Sequence, residues 1–193
     1  MKIVGIFAIL DKKLLAVQFE GKDADEFTLA FRNWQDPEYL EDFFEKHQKD
    51  LNKEIWGFPS VEEAIWKTIE EAGDFEEELL TIARKGSFDE KSSLGDLVFR
   101  PLHKYDESIK HLESKAYGSK GKSWIRLYAI RISSLFYVVS GGAIKLTLKM
   151  KDRDHTLTEL EKLKATKAYL EAIGLFDEDD YEIVEITNRD EQE

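Results

Sequence analysis

Residues 123–150 gather the side chains of this chain that could do chemistry: Arg126, Tyr128, Arg131, Lys145 and Lys149. Cations and a tyrosine on one sheet face are what RNA cleavage without a metal requires. The cations stabilise the charge that develops on the phosphate oxygens as a 2′-hydroxyl attacks the adjacent phosphate. A group able to move protons completes the step. Side chains alternate across a strand. Lys145 and Lys149, four residues apart, therefore share a face, whereas Arg126 and Arg131, an odd number apart, oppose each other unless a bulge intervenes. On spacing alone the plainer reading is favoured, that of ordinary outward residues on half-exposed strands.

The elements that must position these groups read as an antiparallel meander: strands over 124–132, 135–140 and 143–150, with a turn at Ser133-Ser134 and a break at Gly141-Gly142. A β-bend or bulge suits the two glycines better than a phosphate loop, because no helix comes directly after them. Residues 96–102 predict a preceding strand, with Pro101 at an edge or an end. The ambiguous period of 105–121 reads as a short helix followed by a loop over 117–122. Thr156 and Glu159 match a capping box opening a helix with Leu157, Leu160, Leu163, Ala168 and Leu170 on its apolar face and Gly174 as its stop. Residues 181–186 predict a last strand, and 187–193 a frayed tail.

Ahead of this region, the apolar runs 2–10 and 14–19 predict a β-hairpin rather than a signal peptide. Residues 24–85 read as mostly helical. Asp25 caps one helix, Pro37 opens the next, Ser60 with Glu63 caps a third, and Gly73 ends or kinks it. The expected fold class is α+β, a twisted antiparallel sheet with helices packed on it, in one domain over 1–193. Within it, 1–93 hold the hairpin and acidic helices, 94–186 the sheet and closing helix, and 187–193 the tail.

The formal net charge of −12 is unevenly spread. Residues 100–154 carry 12 Lys/Arg against 5 Asp/Glu, and the remainder carries 16 against 35. A cationic face on an acidic body attracts a phosphate backbone over a Debye length of about 8–10 Å whatever the net charge. Alternatively, the two regions attract each other within the fold. Cysteine is absent, which removes disulfides and thiolate chemistry and fits a cytoplasmic protein. No apolar run reaches the roughly 18 residues of a membrane span. His47, His103, His111 and His155 offer no helical metal pair, the acidic turn 177–180 lacks the glycine and distal glutamate of a calcium loop, and no nucleophile elbow surrounds a serine. No cofactor is expected.

The stretch resembles the C-terminal sheet of RelE/HigB-like toxins of bacterial type II toxin–antitoxin pairs. Ile125-Arg126-Leu127-Tyr128 matches an Arg-aromatic strand, 135–139 a hydrophobic strand, and Ala143-Ile144-Lys145-Leu146-Thr147-Leu148-Lys149 a Lys-rich strand leading into the helix from Thr156. Residues 96–102, with Arg100, resemble the strand before them. Leu146 stands where one family lysine is expected, and 150–155 lack the usual proline. The resemblance implies helices on one face of the sheet and a metal-independent mRNA endoribonuclease, often acting on the ribosome and silenced by a cognate antitoxin. It gives Arg126 the role of stabilising phosphate charge and Lys145 and Lys149 that of binding or polarising the scissile phosphate. Tyr128 becomes a stacking or proton-transfer group. Arg100, Lys120, Lys122 and Arg131 are the further cations for an RNA backbone. The rival readings are a non-catalytic protein-interaction module on the same fold and an acidic nucleic-acid mimic.

Overall fold

The first two apolar runs pair as the expected antiparallel hairpin, β1 (Ile3–Leu10) and β2 (Leu14–Phe19), with β2 buried along nearly its whole length. The computed structural model describes residues 1–85, 93–102, 111–118, 122–177 and 179–182, the side chain of Asp96 aside. The helical half obeys its start signals. Asp25 accepts from the Phe27 and Thr28 N–H groups at the head of α1 (Glu26–Trp34), and Asp36 does the same for Glu38 and Tyr39 in α2 (Pro37–Lys46). A single turn, α3 (Gln48–Leu51), precedes α4 (Val61–Lys85). Ser60 and Glu63 bond reciprocally at the start of α4 (2.7 and 3.1 Å), and Gly73 lies inside this unbroken helix. After a short α5 (Leu94–Leu97) come β3 (Arg100–Pro101), β4 (Leu112–Tyr117), β5 (Ile125–Arg131), β6 (Tyr137–Ile144) and α6 (Asp154–Ile173). Among the described residues no helix is long and apolar enough to cross a membrane.

The sheet runs β1-β2-β6-β5-β4-β3. It is antiparallel except where β2 meets β6 in parallel, so the expected all-antiparallel sheet is a mixed one. Pro101, unable to donate, does sit on the edge strand. Several local expectations are corrected. Most of 96–102 is the end of α5 and a turn, leaving two strand residues. The short helix expected after residue 105 is, over Leu112–Tyr117, strand β4. The second and third meander strands are one strand, β6, so Lys145 and Lys149 lie beyond it in a loop. Thr156 does not cap α6; its hydroxyl donates to the Met150 and Arg153 carbonyls (2.5 and 3.0 Å). Tyr181 and Glu182 are helical where a strand was expected, and 183–193 lie outside the described residues.

Helices cover both faces, not one. Leu14, Ala16, Leu127, Ala129 and Val139 meet the α1, α2 and α4 side chains Phe31, Trp34, Phe44 and Phe75. Their strand neighbours Leu15, Val17, Tyr128, Ile130 and Val138 meet Leu163 and Leu170 of α6. A bulge resets which side chains of β6 face which layer. Tyr128 pairs with Gly141 and Ala129 with Val139, so Ser140 is the extra residue. It shifts the alternation by one position, leaving Ala143 on the α6 face and Ile144 on the other. Gly141 and Gly142 are required here by close approach. A Cβ on Gly142 would sit 2.7 Å from the Trp34 ring and 2.8 Å from the Ala30 methyl, and one on Gly141 would overlap the Glu159 carboxylate. Gly142→Ala is expected to cost about 1–3 kcal/mol through overpacking. A thermal melt checks this, and an unchanged midpoint would show that Trp34 moves aside freely.

Candidate functional site

Arg126 and Tyr128 alternate with buried Ile125, Leu127 and Ala129, so both emerge on the α6 face of β5. Across the antiparallel ladder, Tyr117 of β4 faces Arg126 and Lys115 faces Tyr128. The bulge in β6 turns the end of that strand to the same side. The loop beyond it then brings Lys145, Lys149 and Lys151 over these strands. The result is an open cavity of about 590 Å³, lined chiefly by Lys115, Tyr117, Arg126, Tyr128, Lys145 and Lys149, with Lys151, Met150, Leu148, Leu102 and Leu160 completing the rim. Five lining residues are cationic, and among the described residues none carries a carboxylate.

The loop is held in place by its own polar groups. Lys145 Nζ donates to the Thr147 and Leu148 carbonyls (2.5 and 2.6 Å), and the Lys149 N–H donates to Asp152 Oδ2 (3.1 Å). Trp56 Nε1 donates to the Leu146 carbonyl (3.1 Å). Among the described residues Arg126 is fixed through Nη1. Its Nη1 donates to the Ser123 and Ile125 carbonyls (2.8 and 2.6 Å), and the guanidinium lies 4.0 Å over the Tyr117 ring. Nε and Nη2 keep their donors, since a guanidinium has five N–H groups.

Electrostatics tune these groups. Burial lowers the Arg126 pKa, which still leaves a guanidinium charged at neutral pH. Burial lowers that of Lys145 too, and the neighbouring Arg126 and Lys115 charges push it further down. Tyr128 is raised, first by burial and then by the Glu159 charge, so its phenol stays protonated. Its Oη is buried on the cavity wall without a hydrogen-bond partner among the described residues. An unmet buried hydroxyl costs about 1–3 kcal/mol.

All four residues singled out for catalysis thus lie on one cavity. Among the described residues, the additional cations do not join it. Arg131 is on the opposite face of β5, as the odd spacing required. Arg100 lies on the α4 side, near Glu78 and Leu97. Lys122 is exposed before β5, its carbonyl accepting from Lys67 Nζ at 3.5 Å. Lys120 lies outside the described residues. Sequence reasoning missed Lys115, Tyr117 and Lys151. The alternation Lys115-Ala116-Tyr117 is the signal, hidden because 105–121 reads as helix and loop. The acidic helices α1, α2 and α4 occupy the other face of the sheet, so they do not cover the cavity.

A second concavity of about 430 Å³ lies between α2 and the start of α6, lined by Tyr39, Asp42, Phe43, Lys46, His47, Arg153, Asp154 and His155. The His47 and His155 rings meet edge-on, their centroids 4.8 Å apart. Spacing could not reveal this pair, which joins two distant helices. His111 is buried against the Leu175 carbonyl (2.7 Å), and His103 lies outside the described residues. Compared with protein-family models, curated proteins and solved structures, the chain matches none of them.

Proposed function

We propose that this chain acts on RNA as a toxin-type, metal-independent endoribonuclease of the bacterial cytoplasm, held in check by a cognate antitoxin protein. The supporting observation is the convergence of Arg126, Lys145, Lys149, Lys115 and Lys151 around the unpartnered Tyr128 hydroxyl in one open cavity. A phosphodiester placed there meets Arg126 Nε and Nη2 and the lysine ammonium groups. The 2′-oxygen attacks the adjacent phosphorus and gives its proton to the unprotonated fraction of Lys145. The bond to the 5′-oxygen breaks, and Tyr128 protonates the departing oxygen. The products are a 2′,3′-cyclic phosphate and a 5′-hydroxyl. The cations stabilise the pentacoordinate charge without reorganising.

A non-catalytic binding module is the second reading. It is favoured by the lack of an imidazole or carboxylate among the described residues of the cavity wall, and by Leu148, 86% exposed on its rim as an apolar anchor for a protein. Incubating the purified chain with RNA in excess chelator separates the two. Cleavage to cyclic-phosphate ends, blocked by a 2′-deoxy substitution at the cut site, is the expected result. Intact RNA would overturn the nuclease reading and leave the protein-interaction module, and failure to bind RNA at all would end every RNA reading of the cavity.

A further inference from the structure

Residues 145–155 wall two concavities. Lys145 and residues 148–151 line the cationic cavity, while Arg153, Asp154 and His155 line the groove against α2. Only Asp152 separates the two sets, so the last residue of one and the first of the other are at most about 7 Å apart along the backbone. A single nucleotide step covers such a distance. Resting on the RNA reading of the cavity, we propose that the groove between α2 and α6 is a nucleobase subsite, seating the nucleoside next to the phosphate in the cavity.

Three features suit the groove to a base. Its walls are aromatic: Tyr39 stacks near Phe43 (centroids 6.4 Å apart), and Phe43 touches both His47 (4.5 Å) and His155 (5.1 Å). Tyr39 is 40% exposed, so its ring is a platform and not a core residue. Base–aromatic stacking is tolerant of sequence and strong enough to matter. The cations differ in availability. Arg153 is held by Asp50 through Nε (2.6 Å) and Nη2 (2.8 Å), whereas Lys46 has no hydrogen bond or ion pair among the described residues. Lys46 is therefore the groove's phosphate contact, and Arg153 its fixed wall.

Three polar groups of the groove can accept from a base. His155 Nε2 lies 3.0 Å from the Ile144 carbonyl, which can only accept, so the proton is on Nε2 and Nδ1 is left as an acceptor. The Asp42 and Asp154 carboxylates line the groove and likewise only accept. A base carrying an exocyclic amino group offers two donors to such an edge, and uracil offers a single N–H. Adenine, guanine and cytosine are therefore preferred over uracil.

The test measures binding to the full chain by calorimetry, using hexaadenylate, hexauridylate and inorganic pyrophosphate. Non-cleavable 2′-O-methyl RNA keeps the probes intact. Tyr39→Ala/Lys46→Ala changes two outward side chains and is expected to weaken hexaadenylate about tenfold or more. Its effect on hexauridylate is smaller, and on pyrophosphate nil. Arg126→Ala weakens all three. If the groove variant binds hexaadenylate as wild type does while Arg126→Ala does not, the subsite is wrong and the cavity stands. Equal losses for adenylate and uridylate would remove the base preference. If wild type binds no oligonucleotide, or Arg126→Ala changes nothing, the RNA reading fails and the subsite with it.

Discussion

Arg126→Ala/Lys145→Ala/Lys149→Ala is expected to lower RNA cleavage by at least about 10²-fold and to relieve growth arrest when expressed in a bacterium. One preorganised donor to a developing oxyanion is worth about 10²–10³ in rate, and this variant removes three cations from one wall. The loss needs a control, because Lys145 also ties the loop through two carbonyls. Tyr128→Phe provides it. The Tyr128 hydroxyl is buried and unpartnered, so its removal should leave stability unchanged or raise it by about 1 kcal/mol. If that hydroxyl protonates the leaving oxygen, cleavage falls while the melting temperature does not. Primer extension on cellular transcripts and a thermal melt report the two quantities. Equal toxicity of wild type and the triple variant would remove these side chains from the mechanism. An active Tyr128→Phe would remove the phenol alone.

Lys162→Met is expected to destabilise the fold by about 3–5 kcal/mol at pH 8 and by far less at pH 5. β2 and β6 pair at only three positions, Leu14, Leu15 and Ala16 with Tyr137, Val138 and Val139. Beyond them, Glu26 of α1 on one side of the sheet reaches Lys162 of α6 at 2.7 Å, and Lys162 also holds Glu159 at 2.9 Å. All three side chains are buried or nearly so. Removing the ammonium leaves two carboxylates facing each other out of water. Burial raises Glu159 to a pKa of about 7, and Glu26 adds to the effect while Lys162 opposes it. A raised carboxyl pKa stabilises the protonated fold. In the wild type that contribution is complete below about pH 4.5, the group's ordinary value, and is lost as pH rises through about 7. It amounts to about 3 kcal/mol, at roughly 1.4 kcal/mol per tenfold change in proton affinity. Denaturant titrations at the two pH values check both statements. An equal cost for Lys162→Met at each pH would show that packing, not charge, carries the effect. Glu159→Gln should flatten the wild-type pH profile between pH 4.5 and 7.

Much of the helical half was legible because its signals are local. Asp25, Asp36-Pro37 and Ser60 with Glu63 satisfy N–H groups within three residues of themselves, so a sequence window contains the whole interaction. The opposite faces of Arg126 and Arg131 were legible for a similar reason, since β5 keeps a strict period of two. Some errors fall where a partner lies far along the chain, others where a local group takes an unexpected partner, as Thr156 does. Strand β4 carries Lys, Ser and Tyr, polar enough to pass for loop, and is extended because it pairs with β5. Lys145-Leu146-Thr147-Leu148-Lys149 alternates like a strand. It leaves the sheet because its carbonyls are taken by Lys145 and Trp56.

From the sequence alone came the cations, their concentration in the C-terminal half, and the parity that separates Arg126 from Arg131. These depend on covalent order and on a backbone period that needs no partner. Which cations meet was decided by tertiary structure. The Ser140 bulge resets the alternation of β6, the loop it launches folds back over β5, and β4 adds Lys115 and Tyr117 from across the ladder. Helix α6 took the face of Arg126 and Tyr128, and the acidic helices took the other. That choice left the positive cavity uncovered by α1, α2 and α4, because the sheet stands between those helices and the face that carries Arg126 and Tyr128.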